Sequence, residues 1–300
     1  MEKQRNKKGS LPIGVRIIGI IIAVLAAAYG LYAGMGNSIG NFDGEMQIFA
    51  LDVGQGDSFF IISPNGKTML IDSGESSNSK QIEQFIREKG VRQLDVVIGS
   101  HTHSDHVGSM PYLLDAFDVG KYVMSEAGLE TRIQKRINAV LEEKDIPCSY
   151  VWAGDVIDWD SDCKVTVLSP VPEFDEYSKT DWNEWSLIIR AEYANHSMIF
   201  TGDATVRSEQ AAMLNNEKYL FDADVLKVPH HGSTTSSSLG FLEAVSPEYA
   251  IISVGKGNSY GHPDYDTIQK LKQVNAEIYR TDELGTINIV FSADDIKITY

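Results

Sequence analysis

The sequence predicts an α/β (α+β) protein in which two mixed β-sheets pack face to face with helices outside, preceded by one transmembrane helix. Three observations lead there. Short apolar runs with period two alternate with stretches of helical spacing, the order expected of strand–helix units. These units fall into two similar halves, each made of strands followed by strand–helix units, with no repeat of fixed period. Ahead of both, Ile17–Met35 runs for 19 residues without a charge, long enough to cross a bilayer as a helix.

The amino terminus sets the expected location. Residues 1–16 carry Lys3, Arg5, Lys7, Lys8 and Arg16 against Glu2. A basic cluster of that kind stays cytoplasmic, so residues 17–36 read as a signal anchor in the cell membrane and the rest as extracellular. Residues 37–45 form a polar, glycine-containing tether and residues 46–300 the folded domain. A cleaved signal peptide, which would release a secreted domain, is the competing reading, with Ala26–Gly36 offering small residues for cleavage. No cysteine follows the apolar run, which excludes a lipoprotein anchor.

Composition narrows the function. The 300 residues carry a formal charge of −16, and setting aside the basic terminus leaves 21 basic and 41 acidic residues, or −20. Such a domain has no general electrostatic footprint for nucleic acid, so any polyanion must be held by metals and a local basic or amide-lined patch. Two cysteines rule out a disulfide framework and a cysteine-rich metal site. Cys148 and Cys163 either pair outside the cytoplasm or stay as free thiols.

The domain reads in order as follows. Met46–Val53 alternates apolar and polar, and Ser58–Ser63 and Lys67–Asp72 form a hairpin around the turn Pro64-Asn-Gly66. Lys80–Lys89 has helical spacing and stops at Gly90. Leu94–Ile98 is a buried strand that opens into a loop, followed by a short helix over 108–117, a strand at Lys121–Met124 and a helix at Glu130–Lys144. Ser149–Trp152, Val156–Trp159 and Lys164–Leu168 read as short strands and Pro170–Asp181 as an acidic loop. Trp185–Tyr193 and Ser197–Thr201 form a second hairpin. Then come a helix at Thr205–Asn215, a strand at Ala223–Val228, a helix around Phe241–Val245, a strand at Tyr249–Val254, a helix at Asp264–Val274, and a strand and final hairpin in Glu277–Tyr300.

Four clusters carry chemistry, each at the carboxyl end of a strand, where ligand sites collect in parallel and mixed sheets. The first is His101-x-His103-x-Asp105-His106, after Leu94–Ile98. Imidazole nitrogen with carboxylate oxygen suits zinc, manganese or iron, and charge this dense is costly unless metal neutralises it. The second is Thr201-Gly-Asp203, a carboxylate at a strand tip able to bridge two ions or, more plainly, to cap the next helix. The third is His230-His231-Gly-Ser233 and the fourth Asn258-Ser-Tyr260-Gly-His262-Pro, which alone would pass as a turn. Two metals about 3.5–4 Å apart would generate hydroxide at neutral pH and stabilise attacking and leaving oxygens, chemistry suited to phosphodiesters, lactams, lactones and thioesters. There is no glycine-rich nucleotide loop and no serine nucleophile elbow.

The cluster His101-x-His103-x-Asp105-His106, with Asp72 before it and Asp203 and His230 after it, resembles the metallo-β-lactamase superfamily over residues 46–300. Leu51-Asp-Val-Gly-Gln-Gly-Asp57-Ser, Ile71-Asp-Ser-Gly74, Leu226-Lys-Val-Pro-His230-His231-Gly-Ser233 and Asn258-x-Tyr260-Gly-His262-Pro are similar to the hydrolase domain of the ComEC competence proteins. The cell-surface phosphorylcholine esterases are a second similar group. The resemblance implies a four-layer αβ/βα sandwich and a binuclear phosphodiesterase or nuclease using two divalent ions, zinc or manganese. It places His101, His103 and His230 on one metal and Asp105 and His106 on the other, with Asp203 bridging. Which of His230 and His231 is the ligand stays open; the other would touch the phosphate or act as general acid. Asp72 and Asp57 would orient ligands from behind, and Asn183, Ser233, Asn258, Tyr260 and His262 would contact substrate. The implied partner is DNA or a nucleotide, or a phosphocholine-type envelope polymer. His196, in a hairpin turn, is not expected to be a ligand. This chain has one apolar span where the competence proteins have several, so the resemblance implies hydrolysis and not DNA import.

Overall fold

The computed structural model of the protein describes residues 44–172 and 180–300. The segments expected as the basic cytoplasmic stretch and the signal anchor, with most of the tether and most of the acidic loop, lie outside the described residues. Among those described, no helix is long and apolar enough to cross a membrane.

In the first half, β1 (Met46–Ala50), β2 (Phe59–Ile62) and β3 (Thr68–Ile71) form an antiparallel meander. A small parallel ladder of β4 (Gln93–Leu94) with β6 (Asp118–Val119) stands apart. β5 (Val96–Gly99), β7 (Tyr122–Met124) and β8 (Cys148–Tyr150) continue the sheet from β3, all parallel. The second half repeats the plan. β9 (Cys163–Ser169), β10 (Ile188–Tyr193) and β11 (His196–Phe200) are antiparallel, and β12 (Val225–Lys227), β13 (Tyr249–Ile252) and β14 (Glu277–Arg280) follow in parallel. The last hairpin, β15 (Ile287–Phe291) and β16 (Ile296–Thr299), crosses back to pair with β1. The sheets therefore read β16-β15-β1-β2-β3-β5-β7-β8 and β14-β13-β12-β11-β10-β9.

The period-two pattern explains how the sheets stack. Ile48, Phe59, Ile61, Met69 and Ile98 of the first sheet meet Val165, Val167, Ile189, Met198, Phe200 and Ile251 of the second in one buried core. The intervening residues of the second sheet, Ile188, Leu226, Ala250 and Ile252, point the other way, onto Ala212, Phe241, Leu242 and Leu271 of the outer helices Val206–Asn215, Leu239–Val245 and Tyr265–Gln273. On the first sheet's outer face, Phe85 of the helix Ser79–Glu88 packs edge-on to Phe49 and Phe60. Helix, sheet, sheet, helix is the four-layer order, and each large apolar side chain buried in it contributes roughly 1.5–3 kcal/mol.

Three expectations are corrected. Leu94–Ile98 is not one strand: the Asp95 carboxylate accepts from Thr68 N (2.8 Å) and Lys67 Nζ (2.9 Å), which breaks the run. Val156–Trp159 makes only a single bridge, Val156 to Thr166. The neighbouring Asp155 and Asp160 bind Trp152 N, Ser63 Oγ and Asn65 Nδ2, drawing the chain into turns instead of a ladder. Ser104–Val107, expected as loop, is a single helical turn. Cys148 and Cys163 are free thiols, and burial pushes the Cys163 thiol up to about 12.

Phe59 and Phe200 meet edge-on across the two sheets at 5.2 Å. Phe200→Ala is expected to cost about 3–5 kcal/mol in urea unfolding, whereas Leu214→Ala, at a residue 83% exposed, should stay within about 0.5 kcal/mol.

Candidate metal centre

The ends of β3, β5, β11, β12 and β13 converge on one edge of the sandwich. They deliver Asp72, then His101, then Asp203, then His230 and His231, then Ser253. His103 leads into the one-turn helix that carries Asp105 and His106. Two glycines permit the close approach. A Cβ on Gly56 (φ +133°) would stand 2.2 Å from the Asp105 carbonyl oxygen, and one on Gly202 (φ +49°) 2.7 Å from Ser100 Oγ. Asp72, His230 and His231 hold left-handed backbone at φ +60°, +51° and +53°, a conformation costing roughly 1–3 kcal/mol per non-glycine residue.

Asp203 divides the histidines into two sets. Its Oδ1 lies 3.0 Å from His106 Nε2 and 3.5 Å from His231 Nε2, and Asp105 Oδ2 completes that set at 3.4 Å from His231 Nε2. Its Oδ2 lies 3.9 Å from His101 Nε2 and 3.6 Å from His230 Nε2. His103 Nδ1 is 3.1 Å from His101 Nε2. Asp105, His106, Asp203 and His231 form one group whose ligand atoms could share an ion, and His101, His103 and Asp203 form another. His106 Nε2, His231 Nε2 and Asp203 Oδ1 are all buried with no hydrogen-bond partner. Buried polar atoms are rarely left so. Three lone-pair donors facing one point, all nitrogen or oxygen, fit a divalent cation.

The far side of each ring is pinned. His106 Nδ1 meets Asp72 Oδ2 at 2.8 Å, and Asp72 also accepts from Ser100 N (2.8 Å) and Ser100 Oγ (2.6 Å). His231 Nδ1 meets the Ser253 carbonyl at 2.8 Å, His230 Nδ1 the Thr235 hydroxyl at 2.8 Å, and His101 Nδ1 the Ser100 hydroxyl at 3.1 Å. Such partners turn each Nε2 toward the centre. A third acidic group, Asp57 with Asp72 and His106, lies behind the ligands. Its cation is Lys227, buried on β12, whose Nζ sits 2.5 Å from Asp57 Oδ2 and donates to the Gly202 carbonyl at 2.7 Å.

The charges are mutually dependent. Burial opposes charge on His231, yet Asp203, Asp105 and Asp57 push it up to about 9, and carboxylates likewise hold His106 well above its ordinary value. Burial and the neighbouring His106 take His101 far down, and burial lowers His230. Burial would raise Asp105 and Asp203, but His106 and His231 hold both below the usual carboxylate range.

Asn183, Tyr260 and His262 line an open cleft of about 310 Å³ above the two sets, together with Gln55 and Ser104. Asn183 Nδ2 is 3.4 Å from His230 Nε2, and the Tyr260 and His262 rings stack at 5.8 Å. Ser233 and Asn258, expected to contact substrate, do not line it. Ser233 Oγ is bound to the Thr235 hydroxyl and amide, and the Asn258 side chain binds Gly255 O, His262 O, Tyr260 N and His262 N, bracing the loop that carries His262. His231, weighed as a phosphate contact or general acid, is 1% exposed and aimed at Asp105 and Asp203. His196 opens β11 and packs on Phe291 at 5.6 Å. Sequence reasoning gave no role to Lys227, Ser253 or Thr235; a lone lysine inside the apolar strand Leu226-Lys-Val was the available signal for the first.

The profile of the metallo-beta-lactamase superfamily matches residues 51–256. ComE operon protein 3 of Bacillus subtilis is 34% identical over 260 residues, 81% of this chain and 33% of that protein. Recombination protein 2 of Haemophilus influenzae is 29% identical over 84% of this chain and 30% of its own length, and competence protein ComA of Neisseria gonorrhoeae 28% identical over 85% and 34%. The chain thus spans about a third of the length of these relatives. Among solved structures, Igni18, a metallo hydrolase of the archaeon Ignicoccus hospitalis, shares the fold at TM-score 0.56 and 15% identity, over 82% of this chain and all of that one. CmlA, a diiron beta-hydroxylase of Streptomyces venezuelae, shares it at TM-score 0.51 and 12% identity, over 78% and 52%.

Removing Lys227 takes the nearest cation from the buried Asp57 carboxylate. Lys227→Met is expected to destabilise the chain by about 3–5 kcal/mol in urea unfolding. In the metal-stripped chain, His231 binds its proton more tightly folded, near 9, than unfolded, near 6.5. Its stabilisation is therefore complete below pH 6.5 and fades as pH rises to 9. Metal must displace that proton, so metal-loaded protein should show the opposite trend, gaining stability across the same interval when urea midpoints are compared.

Proposed function

The chain belongs to the metallo-beta-lactamase superfamily, and on that footing we propose that it is a membrane-anchored, extracytoplasmic, binuclear-metal hydrolase of phosphodiester bonds acting on DNA or a nucleotide. One observation carries the reading: a buried carboxylate, Asp203, turns one oxygen toward Asp105, His106 and His231 and the other toward His101, His103 and His230. Each set would hold one divalent ion, zinc or manganese, with Asp203 shared. Bound there, the ions supply Lewis acidity, lowering the pKa of water and offsetting charge on phosphoryl oxygens.

The chain's own residues do the rest. Asp72, Ser253 and Thr235 fix the ligand rings through their outer nitrogens. Asn183 and His262, both lining the cleft beside His230, would donate to the non-bridging oxygens of a phosphate. Hydrolysis forms a phosphorus–oxygen bond to water and breaks the one to the leaving oxygen. His262, on the cleft wall with its ring stacked on Tyr260, would return a proton there. The names of the relatives, competence and recombination proteins, support nucleic acid as the substrate class. In this reading residues 17–36 anchor the chain in the membrane, with residues 46–300 outside the cell. The −20 charge of the domain favours a small or neutral substrate over long DNA, which supports a second reading, an esterase of phosphocholine groups or teichoic acid on the cell envelope.

The full chain, purified in detergent and supplied with manganese or zinc, is expected to cleave both single-stranded DNA and bis-(p-nitrophenyl) phosphate, and EDTA to abolish both activities. Cleavage of the small diester alone would favour the envelope esterase; activity on neither would contradict the proposal. Asp203→Asn should lose hydrolysis and bound metal together, whereas His262→Ala should lose turnover and keep its metal by elemental analysis.

A further inference from the structure

Beside the metal centre lies a second cleft, of about 390 Å³, whose walls include Arg132, Arg136, Ser76, Glu75 and Ser104. Ser104 lines both clefts, so the second one begins one residue from Asp105. Arg132 and Arg136 stand one helical turn apart on the helix Arg132–Glu143, which puts both guanidinium groups on one face. Both are exposed, and among the described residues neither has a carboxylate partner. Arg136 is held over the ring of Tyr112 at 5.6 Å, and Tyr112 is itself 49% exposed. The one carboxylate in the cleft, Glu75, accepts from Ser104 Oγ at 2.8 Å. In a domain of net charge −20, two unpaired guanidinium groups beside a phosphodiester site are the local basic patch that a polyanionic substrate requires.

We propose that this cleft is a polynucleotide subsite: Arg132 and Arg136 grip a backbone phosphate flanking the scissile bond, and the half-exposed ring of Tyr112, beside Arg136 at the edge of the cleft, stacks a base. The inference rests on the phosphodiesterase reading for its ligand class. Arginine forks suit phosphate, and an exposed aromatic beside them distinguishes a single-stranded nucleic acid from an envelope phosphate polymer without bases.

The test is binding, measured without turnover. Fluorescein-labelled dT12 is titrated with the full chain in detergent and EDTA, and anisotropy is followed from 20 to 200 mM salt. The wild type is expected to bind with a salt-dependent affinity. The double variant R132Q/R136Q should bind about tenfold more weakly or worse, with a salt slope shallower by roughly 0.7 per lost phosphate contact. Y112L should weaken binding and leave the slope unchanged. Both arginines are exposed, so the unfolding midpoint of R132Q/R136Q should match the wild type. Equal affinity in wild type and double variant, or no binding by the wild type, would overturn the subsite, as would competition by a glycerophosphate polymer as effective as unlabelled dT12. The two readings fail separately. Loss of binding in the variant alongside an inert small-diester assay would sink the hydrolase and keep the subsite; an active small-diester assay with unchanged dT12 binding would do the reverse.

Discussion

Asp203 sets the terms for everything around it. A buried carboxylate whose two oxygens face two different sets of imidazoles needs positive charge on both sides; His106 and His231 supply it on one side only, by holding their protons well above the ordinary range, while His101 and His230 on the other side are pushed toward the neutral form. The positions of β5, β11 and β12 follow from that demand. Each strand must end within reach of one carboxylate, so the sandwich is tied together at the edge where its parallel strands finish. A side chain at Gly56 would collide with the Asp105 backbone, and one at Gly202 with the Ser100 side chain that backs Asp72.

Behind the centre runs a second tier of charge. Asp72 and Asp57 back the histidines, and Lys227 neutralises Asp57 while holding the carbonyl of Gly202, the residue before Asp203. Lys227 thus links the rear of the Asp105–His106–His231 set to the backbone that presents Asp203. A buried pair like this contributes little net stability against an apolar alternative, but breaking it is costly. Its value here is geometric, because it fixes where the Asp203 carboxylate stands.

Much of this was legible in the sequence, for physical reasons that can be named. Short apolar runs identified most strands because the central ones are buried on both faces, one against the other sheet and one against helices, as Val225, Leu226 and Ile251 are. The His-x-His-x-Asp-His spacing exposed the first cluster because its members are close along the chain. What stayed hidden depends on distant partners. The pairing of Lys227 with Asp57 joins residues far apart in sequence, so the apolar run around the lysine signals its burial but not its partner. The split at Asp95 and the loss of a strand at Val156–Trp159 come from carboxylates binding backbone and side chains brought near only by the fold. The resemblance implies a substrate contact for Asn258, but its amide is spent on the loop's own backbone. His230 and His231, adjacent in sequence, fall into different sets because successive left-handed residues send the two rings apart.

The most direct test of the central claim is anomalous diffraction from crystals of the chain grown with zinc or manganese. Two anomalous peaks should appear about 3.5–4 Å apart, one beside Asp203 Oδ1 among Asp105, His106 and His231 and the other beside Oδ2 among His101, His103 and His230. A single peak, or peaks that leave Asp203 uncoordinated, would contradict the account.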